Sequence, residues 1–215
     1  MKVVAVNGSP HPRGNTYLAI RMVLGPLEAE GIETEILDVG GRPVHGCAGC
    51  SKCLKNGGRC VLGDEEFLSW TDRIEAADGL ILASPSYYGG MTGSLKCFLD
   101  RLFYQSRRTG AFRHKIGASL CTLRRAGSLT TVNQLNRFLF ASEMILAPSS
   151  GPGIIHGSLP GEALEDAEGA NALRQTGRNM AWLLKMKEAT KETVPPPAPE
   201  KRVYMNFIRK EAKKD

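Results

Sequence analysis

No uninterrupted apolar run in this chain approaches the roughly 18 residues needed to cross a bilayer, so nothing in it predicts a membrane span. The opening Met1-Lys2-Val3-Val4-Ala5-Val6-Asn7 lacks the layout of a secretory signal and enters a strand-like pattern at once, which predicts a cytoplasmic protein. Spaced Cys/His fingers and aromatic-bearing RNA-binding segments are missing too, which argues against a nucleic-acid partner. The net charge of +6 does not reopen that possibility. Residues 200–215 hold six Lys/Arg against three Asp/Glu, so half of the excess sits in the terminal tail. Also absent are Gly-x-Gly-x-x-Gly and a P-loop lysine, which excludes the dinucleotide fingerprint and argues against a magnesium–triphosphate cradle.

What is present suits one substantial core: 215 residues with 42% hydrophobic content. Short apolar segments at 3–6, 32–39, 80–83, 116–123 and 144–147 alternate with longer helix-like stretches, the pattern of a parallel sheet covered by helices on both faces. Leu95, Phe98, Leu99, Leu102 and Phe103 mark one apolar helix face, and Leu173, Met180, Leu183 and Leu184 another. A first helix should start near Asn15 or Thr16, capped by one of them, and Gly25-Pro26 should bend or end it. The expected fold is an α/β, doubly wound five-stranded parallel sheet of the flavodoxin order 2-1-3-4-5 over residues 1–190. A cysteine-rich loop insertion occupies residues 40–64. Residues 191–215 form a Pro-rich spacer (194–199) and a basic C-terminal tail with Tyr204, Phe207 and Ile208.

Three loops at the carboxyl edge of this sheet carry chemistry. Gly8-Ser9-Pro10-His11-Pro12-Arg13-Gly14-Asn15-Thr16 runs from a strand into a helix start and offers backbone N–H groups and hydroxyls to a phosphate, although an ordinary capped helix has the same composition. The loop after the third strand contains Pro85, Ser86, Tyr87, Tyr88, Gly89 and Gly90. Its glycines admit a flat ring, its tyrosines can stack on one or simply pack, and its N–H groups suit pyrimidine carbonyls. In the third, Arg125 and Gly127 are the candidates to face a reduced ring, with a solvated basic turn as the alternative. Phosphate plus ring is the make-up of FMN.

Cys47, Cys50, Cys53 and Cys60 form C-x2-C-x2-C-x6-C inside a glycine-rich loop. The compact start resembles ferredoxin spacing more than the paired C-x2-C of structural zinc, which points to a [4Fe–4S] cluster; reduced thiols and zinc stay open. Cys97, on a helix, and Cys121, on a strand, are expected to be small buried apolar residues.

Gly-Ser-Pro-x-x-x-Gly-Asn-Thr, residues 85–101 (Pro-Ser-Tyr-Tyr-Gly-Gly-x-x-Gly-x-Leu-Lys-x-Phe-Leu-Asp-Arg) and Arg-Arg-Ala-Gly at 124–127 together resemble the NADPH-dependent FMN reductase and iron–sulfur flavoprotein family, over residues 1–150 and again at 206–209. The resemblance implies an FMN-dependent oxidoreductase with NAD(P)H or reduced ferredoxin as electron donor and a small-molecule or protein acceptor. It also implies a homodimer or homotetramer in which one subunit's cysteine loop lies near another's flavin. His11 stands where relatives carry arginine; histidine donates less once deprotonated, so a weaker or pH-dependent hold on FMN is expected. The rival expectations are a non-enzymatic electron carrier and a zinc-stabilised regulatory domain.

Overall fold

The computed structural model describes residues 1–201. The tail residues Tyr204, Phe207 and Ile208 and the 206–209 segment lie outside the described residues. Strands β1 (Lys2–Asn7), β2 (Glu33–Asp38), β3 (Gly79–Pro85), β4 (Ile116–Leu123), β5 (Ile145–Leu146) and β6 (Ile154–His156) form one parallel sheet. Its order is β2-β1-β3-β4-β5, with β6 also on β4. Helices α1 (Asn15–Ala29), α2 (Glu65–Ala76), α3 (Gly93–Ser106), α4 (Ser128–Ala141) and α5 (Ala167–Thr190) cover it. No helix among the described residues is long and apolar enough to cross a membrane.

Both faces of β1 are apolar because both are covered. Val3 and Ala5 pack with Ile20, Val23 and Leu24 of α1 and with Leu173 and Met180 of α5. Val4 and Val6 face the opposite way, toward Phe67 and Trp70 of α2 and Leu95, Phe98 and Leu99 of α3. Phe98 is fully buried and meets Phe67 and Trp70 edge-on at centroid distances of 5.4 and 5.8 Å. Burial of such a ring contributes roughly 1.5–3 kcal/mol, enough to fix α3 against α2.

The structure departs from the sequence expectation at two elements. First, α1 runs through Gly25-Pro26 to Ala29. Gly177 explains how: a Cβ there would stand 2.2 Å from Val23 O and 3.2 Å from Pro26 Cβ, so α5 presses directly on this turn. That packing, with Leu24 and Leu27 buried beside it, offsets the roughly 3 kcal/mol an interior proline costs. Second, the fifth lane of the sheet is split. Residues 144–147 yield only the two-residue β5, whose lane ends with Ala147 N donating to Gly117 O at 2.8 Å. Pro148 and Pro152 offer no N–H, the chain leaves the sheet between them, and pairing resumes where Cys121 N donates to Gly153 O at 2.7 Å. Among the described residues the sheet therefore has six strands, not five.

Residues 40–64 are irregular apart from one short 3-10 turn, Lys52–Leu54. The segment is tied down on α3, with Cys60 N donating to Gln105 Oε1 (2.9 Å) and Ser51 Oγ bonded to Tyr104 Oη (2.9 Å).

Candidate functional site

β1 and β3 are neighbours whose following helices cross to opposite faces, so their carboxyl ends open at the switch point of the sheet. A cleft of about 380 Å³ lies there. Its floor is built by close backbone approach: Gly8 N donates to Ala83 O (2.8 Å), and Thr92 Oγ1 donates to Gly8 O (2.6 Å). A Cβ on Gly8 would stand 2.5 Å from Leu95 Cδ2 and 2.9 Å from Ala83 O, so only glycine fits.

Of the expected residues, the cleft brings together Ser9, His11, Gly14, Asn15, Thr16, Pro85, Ser86 and Tyr87. Ser9 Oγ accepts from His11 N (3.1 Å) and shapes the loop. The expected cap is absent. The N-cap of α1 is Gly14 in an extended conformation, and no side chain caps the helix. Thr16 Oγ1 instead meets Thr122 Oγ1 at 2.6 Å. Asn15 Oδ1 accepts from Gly161 N (3.0 Å) and Ala163 N (3.3 Å), while its Nδ2 donates to Leu159 O (2.9 Å). Asp64 caps α2 and Asp166 caps α5, whereas α1, like α3 and α4, has no side-chain cap. The helix that opens into the cleft thus keeps its first-turn N–H groups, and the positive end of its dipole, free for an anion.

The remaining expectations fall elsewhere. Arg13 does not line the cleft; its guanidinium lies 4.4 Å from the Tyr17 ring centroid. Tyr87 and Gly90 exchange backbone hydrogen bonds (2.8 and 3.0 Å) around Tyr88 (φ +51°) and Gly89 (φ +75°), a tight turn of the hairpin type. Tyr88 and Gly89 therefore form the tip of that turn, and Tyr88 is fully exposed rather than placed over the cleft. Gly90 also stays off the wall, against Gln134. Arg125 is exposed and does not line the cleft, and its neighbour Arg124 supplies the wall. Gly127 stands behind the wall with φ +92°, where a Cβ would meet Ser86 Oγ at 2.5 Å.

The wall takes Thr122, Leu123 and Arg124 from the third expected loop in place of Arg125 and Gly127, and it contains residues that the sequence pattern did not announce, Gly157, Ser158 and Pro160 after β6. The latter loop follows a strand of only three residues, whose Ile154-Ile155 pair is too short to show a period. Glu162 orders it by accepting from Ser158 N (2.6 Å) and Leu159 N (2.7 Å), bonds that hold its carboxyl below the usual range.

A second constellation lies beside α3. Cys47, Cys50, Cys53 and Cys60 all line one small cavity with Ser51, Tyr104 and Arg101. Cys53 is buried while Cys47 and Cys50 are exposed, and no cysteine forms a disulfide. Burial, and after it the nearby Cys60 and Cys47 thiols, push the Cys53 thiol up. Among the described residues no three His, Cys, Asp or Glu side chains come close enough to hold a metal ion. The donor set nevertheless fits an anionic, thiolate-ligated cluster, because Arg101, 3% exposed, leaves Nε and Nη2 without partners at that cavity. Cys97 is half-buried rather than core, placed 3.6 Å from where a Cβ on Gly46 would be, whereas Cys121 is fully buried as expected.

Residues 1–157 match the family described as NADPH-dependent FMN reductase. An iron–sulfur flavoprotein of Methanocaldococcus jannaschii is 34% identical over 196 residues, covering 86% of this chain and 98% of the relative. Another, from Methanosarcina thermophila, is 26% identical, with 86% and 96% coverage. Among solved structures, RosB with a bound riboflavin-5′-phosphate-derived intermediate superposes with a TM-score of 0.68 at 18% identity, covering 98% of this chain and 95% of that one. A flavodoxin from the domain Archaea gives 0.57 at 14%, with 86% and 99% coverage; at such identities these two speak for the fold alone. A chain with this sheet order, this cleft and these relatives belongs to the NADPH-dependent FMN reductase and iron–sulfur flavoprotein family, and is a flavoprotein oxidoreductase that uses FMN.

Proposed function

We propose that this chain moves electrons from NAD(P)H or a reduced ferredoxin, through FMN and a [4Fe–4S] cluster, to a small-molecule or protein acceptor in the cytoplasm. The observation that carries it is the uncapped N-terminus of α1 opening into a cleft lined by four carboxyl-edge segments, those after β1, β3, β4 and β6. There the first-turn N–H groups of Asn15, Thr16 and Tyr17 and the Ser9 hydroxyl would hold the phosphate, with His11 adding a donor at the rim. Pro85, Ser86 and Tyr87 would flank the ring on one side. Thr122, Leu123 and Arg124 would flank it on the other, supported by Gly127. Bound FMN supplies the acceptance of an electron pair. A cluster on Cys47, Cys50, Cys53 and Cys60 supplies passage of electrons singly. The protein's own share is to place the ring, exclude water and set the charge around it.

A homodimer or homotetramer is part of the same proposal. The fully exposed Tyr88 at the turn tip, in left-handed backbone, supports it as a contact for a second copy at the carboxyl edge.

The test is an anaerobic preparation in which flavin, iron and sulfide are counted per chain, followed by oxidation of NADH and NADPH with FMN, quinone or ferricyanide as acceptor. Stoichiometric FMN with iron and sulfide, and turnover with one nucleotide, is the expected result. Flavin without turnover from either nucleotide or from reduced ferredoxin would leave an electron carrier. Stoichiometric zinc in a colourless protein would overturn the redox function.

A further inference from the structure

Arg101 sits on α3 with its guanidinium carbon 3.8 Å from the centroid of the Phe67 ring and 3% of its surface exposed. Its polar contact is a long one, Nη1 to His45 O at 3.4 Å. Nε and Nη2 are buried without a partner, and Arg101 enters no ion pair among the described residues. Its neighbour Asp100 is engaged with Lys96 instead. A guanidinium cannot shed its charge, so a buried one without a counter-charge is among the costlier things a fold can hold. The cavity it lines is the one lined by all four cysteines of the insertion.

We propose that Arg101 is the buried counter-charge of the cysteine site, turning Nε and Nη2 toward the sulfur of an anionic thiolate-ligated cluster and thereby holding the cluster and raising its reduction potential. This inference rests on the cluster proposed above. Reduction adds negative charge, and a fixed cation in a low-dielectric setting favours the reduced state more than the oxidised one. The Phe67 ring, 3.8 Å from the guanidinium carbon, holds that group by cation–π attraction and leaves Nε and Nη2 available for the sulfurs. Arg101 is on this view a positioning and tuning residue, remote in sequence from every cysteine it serves.

The experiment uses the full chain, reconstituted anaerobically with iron and sulfide, as wild type, Arg101→Met and Arg101→Lys. Cluster midpoint is read by EPR-monitored titration, with the FMN midpoint as internal control, and iron release is read against a chelator. Expected for Arg101→Met is a lower cluster midpoint with an unshifted FMN midpoint and about tenfold faster loss of iron, partly restored by lysine. Because methionine removes an unpartnered charge, the iron-free variant should withstand urea at least as well as iron-free wild type. If that variant is much the weaker, Arg101 is structural and the inference fails. Equal midpoints and equal iron retention in Arg101→Met overturn the inference while leaving the cluster standing. Failure of the wild type itself to take up iron and sulfide overturns both.

Discussion

Thr16 Oγ1 and Thr122 Oγ1 lie 2.6 Å apart, joining the first turn of α1 to the end of β4 under the wall of the cleft. Both residues are buried. Thr122→Val keeps the shape and strands the Thr16 hydroxyl, at a cost of about 1–3 kcal/mol. Urea unfolding should register that loss, and flavin titration of the apoprotein should show weaker FMN binding. Unchanged stability and affinity would mean that the bridge is incidental.

Gly127 holds the wall from behind, with φ +92° and no room for a methyl group before Ser86 Oγ and Gly89 Cα. Gly127→Ala adds roughly 1–2 kcal/mol of left-handed backbone strain and displaces the 86–89 turn. FMN affinity should fall about tenfold or more, as followed by flavin fluorescence quenching. A distant glycine in left-handed backbone with open space around it, Gly31, changed to alanine serves as the control: strain without loss of flavin.

His11 is exposed at the rim of the cleft beside the uncapped helix start. Arginine there carries a permanent charge and two parallel donors. His11→Arg should tighten FMN binding several-fold, read by flavin titration of the apoprotein. Identical titration curves for the two proteins would exclude His11 from the phosphate.

Asp166 caps α5 through Gly169 N (2.9 Å) and also accepts from His156 N (2.7 Å). Burial alone would raise its carboxyl, but those two N–H groups and the His156 ring outweigh it and hold the carboxyl below the usual range. The stability it contributes is thus fully present above the ordinary aspartate value of about 3.9, and disappears as pH falls through the lower native value. Asp166→Ala should cost about 1 kcal/mol at neutral pH and progressively less below about pH 4, measured by urea unfolding across pH.

Cys121 is fully buried on β4, and burial pushes its thiol up to about 11. In the reduced, iron-free native chain, iodoacetamide at about pH 8 should label the exposed Cys47 and Cys50 within minutes and leave Cys121 unlabelled until denaturant is added. Peptide mass spectrometry resolves the three sites.

Local patterns account for most of what could be anticipated. A strand covered on both faces must be apolar at every position, and Val3 to Val6 and Leu80 to Ala83 are; a helix on such a sheet must repeat every three to four residues, and Leu95 to Phe103 does. The loops that line the cleft follow from those elements, because a parallel doubly wound sheet delivers them to one edge. Cysteine spacing is likewise a one-dimensional fact.

Where the expectation missed, the deciding interaction is long-range. Pro26 is tolerated because Gly177, some 150 residues later, lets α5 press on that turn. β6 exists because Gly153 finds the free edge of β4, which no three-residue segment announces by itself. Asn15 spends its amide on the 159–163 loop instead of capping its own helix, and Arg124 rather than Arg125 lines the cleft. The sequence alone determined the layered sheet, the order of its strands and the identity of the loops that carry chemistry. Only the tertiary structure decided which side chains of those loops turn inward, that α1 meets the cleft uncapped, and that Arg101 is buried unpaired beside four cysteines, because each depends on contacts between segments whose separation in the chain leaves no periodic trace.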